Sequence, residues 1–549
     1  MIRLKQADHA VRWQPKQDDS ESDAFCPAQK EVYITHKGEH QMSTLEGLKP
    51  EKVFHYFEQI CQIPHGSGNV EQISNYLSAF AKERGLFCIQ DEWKNIIIIK
   101  EATPGYEQEE PFILQGHMDM VAVKEPDYEI DMAKEPLRLR AENGRVYAEG
   151  TSLGGDDGIA VAYCLALLDS QELAHPRLEI ILTVDEEIGM EGAMGIDLSM
   201  LRGKRMINLD QEEEGIFITS CAGGAGVDVR IPIRRSAQEP DWEANCLMEV
   251  KLGGLAGGHS GTEIHKHGGN ANVALVQLLK RLTEQTAVML VSMEGGVADN
   301  AIPKESSALI AVKKEQIKQI KALVEEEQMR LKEELSESDP ALAITCNMIS
   351  MEANRECSVQ GSKETTAVSG DHAMKCLCCM EDSVKHALSC ISMLPNGVVA
   401  MSKHVSGLVE TSLNLGVMKL TEDALLLKYA VRSSVDQEKE VLCNKMKEIA
   451  KQYGAETTVR NVYPGWAYRV DSALRDKMCA VYEKMYGSAP KLEAIHAGLE
   501  CGILAGKIPG LDCISVGPDL MNVHTAQESM DAASVERVWE YLIAVLSDR

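Results

Sequence analysis

The sequence predicts an α/β fold: a mostly parallel central sheet flanked by helices, interrupted by an inserted second α/β unit. Three observations point to it. Short apolar runs alternate with helix-periodic stretches up to about residue 220, the texture changes around Ser220-Cys221-Ala222-Gly223-Gly224, and the first texture returns after Tyr463-Pro464-Gly465-Trp466. Apolar strands separated by helices favour a parallel sheet buried on both faces. Pro50 suits a first helical turn, where its missing N–H costs nothing. Val53, Phe54, Phe57 and Ile60 then recur at helical spacing as far as Cys61. Val70–Arg84 and Gly158–Leu168 read as further helices, and Ile96–Ile99, Phe112–Leu114, Ile180–Val184 and Arg205–Leu209 as strands.

From about 225 to 463 the strands lengthen and the helices become amphipathic. Lys314–Glu334 is dense in Lys, Glu and Gln and reads as a solvated helix face. Two passes of similar pattern, roughly 245–345 and 400–463, suggest an internal duplication. Between them, 353–390 is polar and reads as a long loop or insertion. Its Cys376, Cys378 and Cys379, with Cys357 and Cys390 nearby, lack a paired zinc-knuckle spacing and read as reduced loop thiols. A helix near Asp471–Tyr486 and a strand at Cys513–Val516 resume the first unit. The resulting division is 1–47 as a polar, disordered extension, 48–223 and 464–549 as two parts of one domain, and 224–463 as the insertion.

Composition limits the classes of partner. At about 150 residues per domain, 549 residues suit two to four units. Lys and Arg number 56 against 84 Asp and Glu, a net charge of −28 that repels phosphate backbones and anionic lipid, so neither nucleic acid nor a membrane surface is an expected partner. No run of about 18 apolar residues is present to span a bilayer. The N-terminus lacks the apolar core of a signal peptide, and 16 cysteines without an export signal read as reduced, so the cytoplasm is the expected compartment.

Chemistry concentrates at a few places. Leu114-Gln115-Gly116-His117-Met118-Asp119 is an apolar strand ending in a His with an Asp two residues on. A neutral imidazole is a good zinc ligand and a nearby carboxylate can fix its tautomer; a satisfied strand-end histidine is the alternative. Gly154-Gly155-Asp156-Asp157-Gly158 opens a helix, where an Asp can equally be an N-cap. Ile181-Leu182-Thr183-Val184 runs into Asp185-Glu186-Glu187, whose charge can also be plain loop solvation, which suits Asp185 well. Met206-Ile207-Asn208-Leu209 ends in Asp210, and Val523-His524 follows the last strand. Together these supply two His and several carboxylates at one sheet edge, the donor set that zinc and similar ions prefer. Adjacent Glu186 and Glu187 on an extended backbone would point apart.

These motifs resemble the aminoacyl-histidine dipeptidases (Xaa-His or cytosol nonspecific dipeptidases), within the di-zinc peptidases that include aminoacylases and desuccinylases. The resemblance runs from about Leu48 to the C-terminus. It implies a catalytic domain with two divalent ions, zinc or else manganese or cobalt, and an inserted lid of the kind that forms homodimers. By resemblance His117 binds one ion and His524 the other, Asp156 rather than Asp157 bridges both, and Glu187 and Asp210 complete one each. Glu186 is then the general base and Asp119 orients His117. Gly158 stands where many members have Lys, a departure the dipeptidases share. In the lid, Gly257-Gly258-His259-Ser260-Gly261 implies that His259 stabilises the oxyanion, though a glycine-rich turn with an incidental His reads equally well. Asn300, within Asp299-Asn300-Ala301-Ile302-Pro303, is implied to contact substrate. Arg432, within Val431-Arg432-Ser433-Ser434, is implied to grip the substrate carboxylate, with an exposed strand charge as its alternative. Gly498-Leu499-Glu500-Cys501-Gly502 also matches, without a firm role for Glu500. The implied substrate is a small dipeptide with free ends. An N-acyl amino acid deacylase or tripeptide exopeptidase on the same scaffold, and an inactive binding relative, are the rival readings.

Overall fold

The computed structural model describes residues 44–349, 377–405 and 407–549. The expectations for residues 1–43 and for Cys357 and Cys376 lie outside the described residues. Residues 44–47, placed in the extension by the sequence, instead form a turn whose Leu45 is only 2% exposed and joins the core under the first helix. That helix, α1 (Glu51–Cys61), follows Pro50 and buries Val53, Phe54, Phe57 and Ile60. Next come α2 (Glu71–Glu83), β1 (Phe87–Gln90), β2 (Ile96–Lys100), β3 (Phe112–His117) and the hairpin of β4 (Leu139–Glu142) and β5 (Arg145–Ala148). Helix α3 (Gly155–Asp169) is buried on every side from Gly158 to Leu168, as its apolar circumference requires. Strands β6 (Leu178–Thr183), β7 (Arg205–Asn208) and β8 (Ile216–Cys221) complete this stretch, with two short helices after β6, α4 (Glu186–Gly189) and α5 (Glu191–Gly195).

The chain then builds a second sheet. Its elements are β9 (Gly223–Pro232), β10 (Asn245–Gly253), β11 (Gly258–His259), α6 (Ala271–Gln285), β12 (Val288–Gly295), β13 (Ala301–Ile302), β14 (Ser306–Lys313), α7 (Ile317–Glu334), β15 (Ala343–Ile349), α8 (Glu381–Met393), β16 (Gly397–Met401), β17 (Val409–Leu420), β18 (Ala424–Ser433), α9 (Asp436–Gln452) and β19 (Glu456–Tyr463). On its return it adds α10 (Ala473–Tyr486), β20 (Lys491–Ile495), α11 (Glu500–Lys507), β21 (Asp512–Ser515), β22 (Leu520–Met521), β23 (Ser529–Asp531) and α12 (Ala532–Ser547).

The first sheet runs β1-β2-β6-β3-β7-β21-β8-β20. Its centre is parallel: β3 lies between β6 and β7, and β21 continues parallel to β7, whereas β1 and β2 form an antiparallel edge. The register pairs His117 with Thr183 and Gln115 with Asn208, so three strand ends emerge together. This register positions the site.

The second sheet runs β15-β10-β14-β12-β17-β18-β9-β19, with β16 on β17, and is antiparallel throughout. Strands β10, β12, β14 and β15 stand in the order 4-1-3-2, and β9, β17, β18 and β19 repeat that order in mirror sequence along the sheet. The repeat is therefore nested, not tandem: the first strand of one copy, β9, precedes the whole of the other. The stretch 353–390 also differs from expectation. Its described end holds α8, whose Val384, Ala387, Leu388, Cys390 and Ile391 are buried; Cys378 and Cys379 are buried too, so these are core thiols, not loop thiols. Cys379 and Cys390 are free cysteines. Helix α7 keeps a solvated face but buries Ile320, Leu323, Val324 and Leu331.

The chain passes from one sheet to the other at Ala222 and returns after Tyr463. The two crossings pair: Cys221 and Trp466 exchange N–H···O bonds of 3.0 Å in both directions. Buried Lys439 donates to the Tyr463 carbonyl and to Asp436 Oδ1 at 2.7 Å, fixing the return. The packing of Leu45 has a measurable consequence. Leu45→Ala is expected to lower the unfolding free energy by about 2–5 kcal/mol in urea denaturation; no change would mean that the folded body begins after this turn.

Candidate metal centre

Three strand ends and two loops build the site. Strand β3 ends at His117 and β7 leads through Leu209 to Asp210. After β6, Asp185 adopts a left-handed conformation (φ 56°, ψ 34°) that turns the chain straight into α4. Glu186 and Glu187 thus stand on a helical turn, not the extended backbone expected. They still diverge, because neighbours on a helix are about 100° apart. Asp185 is no idle loop charge: its Oδ1 accepts the Gly68 N–H at 2.7 Å.

Asp156 and His524 come from elsewhere than a strand end of the first sheet. Asp156 sits in the irregular start of α3 (φ −85°, ψ 105°), beyond Gly154, whose φ of 68° and close approach to the Met120 sulfur leave no room for a side chain. The Asp156–Asp157 peptide bond is cis. Glu528, only 3% exposed, accepts the backbone N–H groups of Leu153 (2.8 Å), Gly154 (3.1 Å), Gly155 (2.8 Å) and Asp156 (3.3 Å). Asp156 is therefore no N-cap; its loop is itself capped by a distant carboxylate. His524 lies in the loop between β22 and β23 of a small sheet, β22-β23-β5-β4.

The geometry centres on Asp156. Its Oδ1 lies 3.1 Å from His117 Nε2, and its Oδ2 lies 3.1 Å from His524 Nε2. Asp210 Oδ1 is 3.5 Å from His117 Nε2, and Glu187 Oε1 is 2.9 Å from His524 Nε2. Two triads result, His117–Asp156–Asp210 and Asp156–Glu187–His524, each with its donor atoms within 4.8 Å of one another. Asp119 organises the other side of His117. Its carbonyl lies 3.0 Å and its Oδ1 3.5 Å from His117 Nδ1; Oδ1 also accepts the Glu186 N–H at 3.2 Å, and Oδ2 the Ser67 hydroxyl at 2.8 Å. A proton on Nδ1 satisfies those oxygens and leaves Nε2 as the donor atom facing Asp156. Asp157 points the other way, accepting the His117 N–H at 3.1 Å.

This donor set is short of positive charge. Among the described residues, only the two imidazoles pair with Asp156, Glu187 and Asp210. Burial pushes Asp210 up to about 6 and Glu186 well above the carboxylate range. Hydrogen bonds that its ring N–H donates to Asp156 and Glu187 draw His524 up to about 10. Burial opposes a proton on His117, yet Asp119, Asp156 and Asp210 outweigh it and raise the imidazole. Both imidazoles thus face carboxylates that favour positive charge at Nε2. Nitrogen and carboxylate donors with a shared, buried carboxylate fit a pair of divalent ions.

A second cluster gathers the insertion's residues. His259 and Ala301 pair across β11 and β13, and the Asn300 carbonyl accepts the Ser260 N–H at 2.8 Å. Arg432 Nη2 is 3.4 Å from His259 Nε2, and Nη1 donates to the Tyr463 hydroxyl at 3.3 Å. Arg432 is 8% exposed and its buried Nε has no partner, so it is not the exposed strand charge that was the alternative. Among the described residues no hydrogen bond or ion pair joins this cluster to the Asp156 cluster. Residues 496–500 run between them: His496 Nε2 meets Ser412 Oγ at 2.7 Å, and Glu500 is buried against Gln115 and Thr183.

Sequence reasoning missed Glu528, His496, Gln115 and Thr183. Gln115 and Thr183 carried a signal, as polar residues inside otherwise apolar strands. Glu528 carried none, since an acid in a polar stretch is ordinary. Replacing Glu528 with Gln exchanges one acceptor oxygen for an NH2 that faces backbone donors. Glu528→Gln is expected to lose about 1–3 kcal/mol of stability in urea and to weaken zinc binding by about 10- to 100-fold. Parent values for both would show that the loop holds itself.

Comparison with known proteins shows the family of the chain. Residues 113–548 match the model of peptidase family M20/M25/M40. The chain is 34% identical over 507 residues to the cytosol non-specific dipeptidase of Escherichia coli K12, covering 92% of this chain and 99% of the relative. It also resembles the crystal structure of the aminoacylhistidine dipeptidase from Vibrio alginolyticus, with a TM-score of 0.82 and 32% identity over 91% of this chain and 97% of that one. Aminopeptidase PepT from Bacillus cereus shares the fold at a TM-score of 0.51 and 15% identity, covering 91% and 98%. With most of its length matched, the chain belongs to peptidase family M20/M25/M40 and is a peptide-bond hydrolase.

Proposed function

We propose that this peptidase cleaves unblocked dipeptides, Xaa-His among them, in a centre holding two divalent cations. The observation that carries the reading is the single carboxylate of Asp156, one oxygen toward His117 and the other toward His524. His117, Asp156 and Asp210 would hold one ion, and Asp156, Glu187 and His524 the other. Such a pair lowers the pKa of a water and polarises the scissile carbonyl. The ions are assigned as zinc, with manganese or cobalt as substitutes, on the mixed nitrogen and oxygen donors.

Glu186 takes the proton of the attacking water and passes it to the leaving amine. Burial raises its pKa, which makes its carboxylate a stronger base toward that water. Its backbone N–H on Asp119 ties the base to the residue that orients His117. In the second cluster, Thr262 donates its N–H to His259 Nδ1 at 3.2 Å, which places the ring proton on Nε2. Burial and then Arg432 hold that imidazole below its usual pKa, and so neutral. His259 Nε2–H and the Arg432 guanidinium are two donors side by side without an acceptor between them. An oxyanion and the free C-terminal carboxylate of a substrate are the acceptors such donors need. Asn300, one residue before β13, is assigned a further substrate contact.

Residues 48–223 and 464–549 form the catalytic body, and 224–463 form a lid that closes over substrate. The lid also forms a homodimer, supported by its edge strand β19, which leaves Val459 and Val462 exposed. The cytosolic relative supports the cytoplasm as the compartment. No helix among the described residues is long and apolar enough to cross a membrane.

With zinc supplied, the chain is expected to hydrolyse Xaa-His dipeptides and to leave N-acetyl amino acids and tripeptides intact, and EDTA should abolish turnover. Glu186→Gln should lower kcat by about 10²- to 10⁴-fold with unchanged zinc content. Parent rates in that variant, or equal rates on acetylated substrates, would overturn the reading. Sedimentation equilibrium should give twice the chain mass, falling to one chain mass for a Val459→Asp, Val462→Asp variant; a monomeric parent would contradict the dimer.

A further inference from the structure

Directly behind the ligand strands lies a chain of buried polar side chains that the proposed mechanism does not use. Asn208 Nδ2 donates to Gln115 Oε1 at 2.6 Å, and Gln115 Nε2 donates to Glu500 Oε2 at 2.5 Å. Thr183 donates its hydroxyl to the same Glu500 oxygen at 2.6 Å. All four residues are buried, and Glu500 Oε1 is buried without a partner. Polar groups are costly inside a sheet, and an apolar set of similar shape would often be as stable. What a connected network adds is a single defined geometry.

The positions of these residues show which geometry. Gln115 precedes His117 by two residues on the same face of β3, Asn208 precedes Asp210 by two, and Thr183 ends β6 just before Glu186. Glu500 enters from the first turn of α11, outside the three strands, and grips two of them directly and the third through Gln115. We propose that Glu500 is a positioning residue that clamps β3, β6 and β7 and thereby sets the spacing of His117 and Asp210. The inference rests on the ligand assignment proposed above. The clamp bears unequally on the two ions. Both unshared ligands of the His117 triad hang on clamped strands. In the other triad, Glu187 is separated from clamped β6 by the left-handed turn at Asp185, and His524 belongs to a loop that the clamp does not touch. Loosening the clamp should therefore release one ion and leave the other.

The test is zinc content and affinity of the full-length zinc-loaded protein, by metal analysis after dialysis and by chelator competition. The parent should hold two ions per chain. Glu500→Leu should hold one tightly and bind the second about 10- to 100-fold more weakly, with activity partly restored by excess zinc. Glu500→Gln keeps a carbonyl acceptor and should retain both ions and the parent pH profile. Thr183→Val, which removes one donor and preserves shape, should weaken the same single ion. Two ions at parent affinity in Glu500→Leu, equal loss of both ions, or Glu500→Gln as impaired as Glu500→Leu would each overturn the clamp. If Glu500→Leu does not fold, Thr183→Val decides. A parent that holds fewer than two ions would instead defeat the ligand assignment, and the clamp with it.

Discussion

One carboxylate, Asp156, must face two imidazoles at once, and much of the molecule is arranged so that it can. Both of its oxygens are used at 3.1 Å, one by a histidine on a central strand and the other by a histidine near the C-terminus. Asp156 stands at the start of α3, where the backbone leaves helical geometry at Asp156 and Asp157. The backbone donors freed by that irregularity need an acceptor, since buried N–H groups without one are costly. Glu528 supplies it from a segment hundreds of residues away.

The other ligand candidates reach Asp156 through sheet register. Because β3 lies in parallel between β6 and β7, His117 and Asp210 approach from adjacent strand ends, and the turn at Asp185 brings Glu187 round. Strand ends of open α/β sheets are where ligands collect. The second sheet contributes differently. Its donors, His259 and Arg432, lie beside the paired crossings at Cys221 and Trp466, where the chain leaves the first sheet and comes back.

Much of this was legible in the sequence, for identifiable reasons. Strands such as Ile96–Lys100 and Phe112–His117 are buried on both faces, so unbroken apolar runs marked them. His117 and Asp210 stood out because each ends or follows such a run. The roles of Asp156 and His524 came from resemblance, because neither lies where periodicity points. What stayed hidden depends on contacts between distant segments. Leu45 looks like any residue of a polar stretch until the core that also holds the buried face of α1 encloses it. Glu528 and Glu500 are acids whose burial no local pattern announces. The nested repeat was misplaced because β9 pairs with β18 and β19, far along the chain, instead of with its sequence neighbour β10.

Diffraction at the zinc absorption edge locates the cations directly. Crystals grown with zinc should show two anomalous peaks about 3.5–4 Å apart, with Asp156 between them, His117 and Asp210 on one and Glu187 and His524 on the other. A single peak, or two peaks that do not share Asp156, would contradict the account.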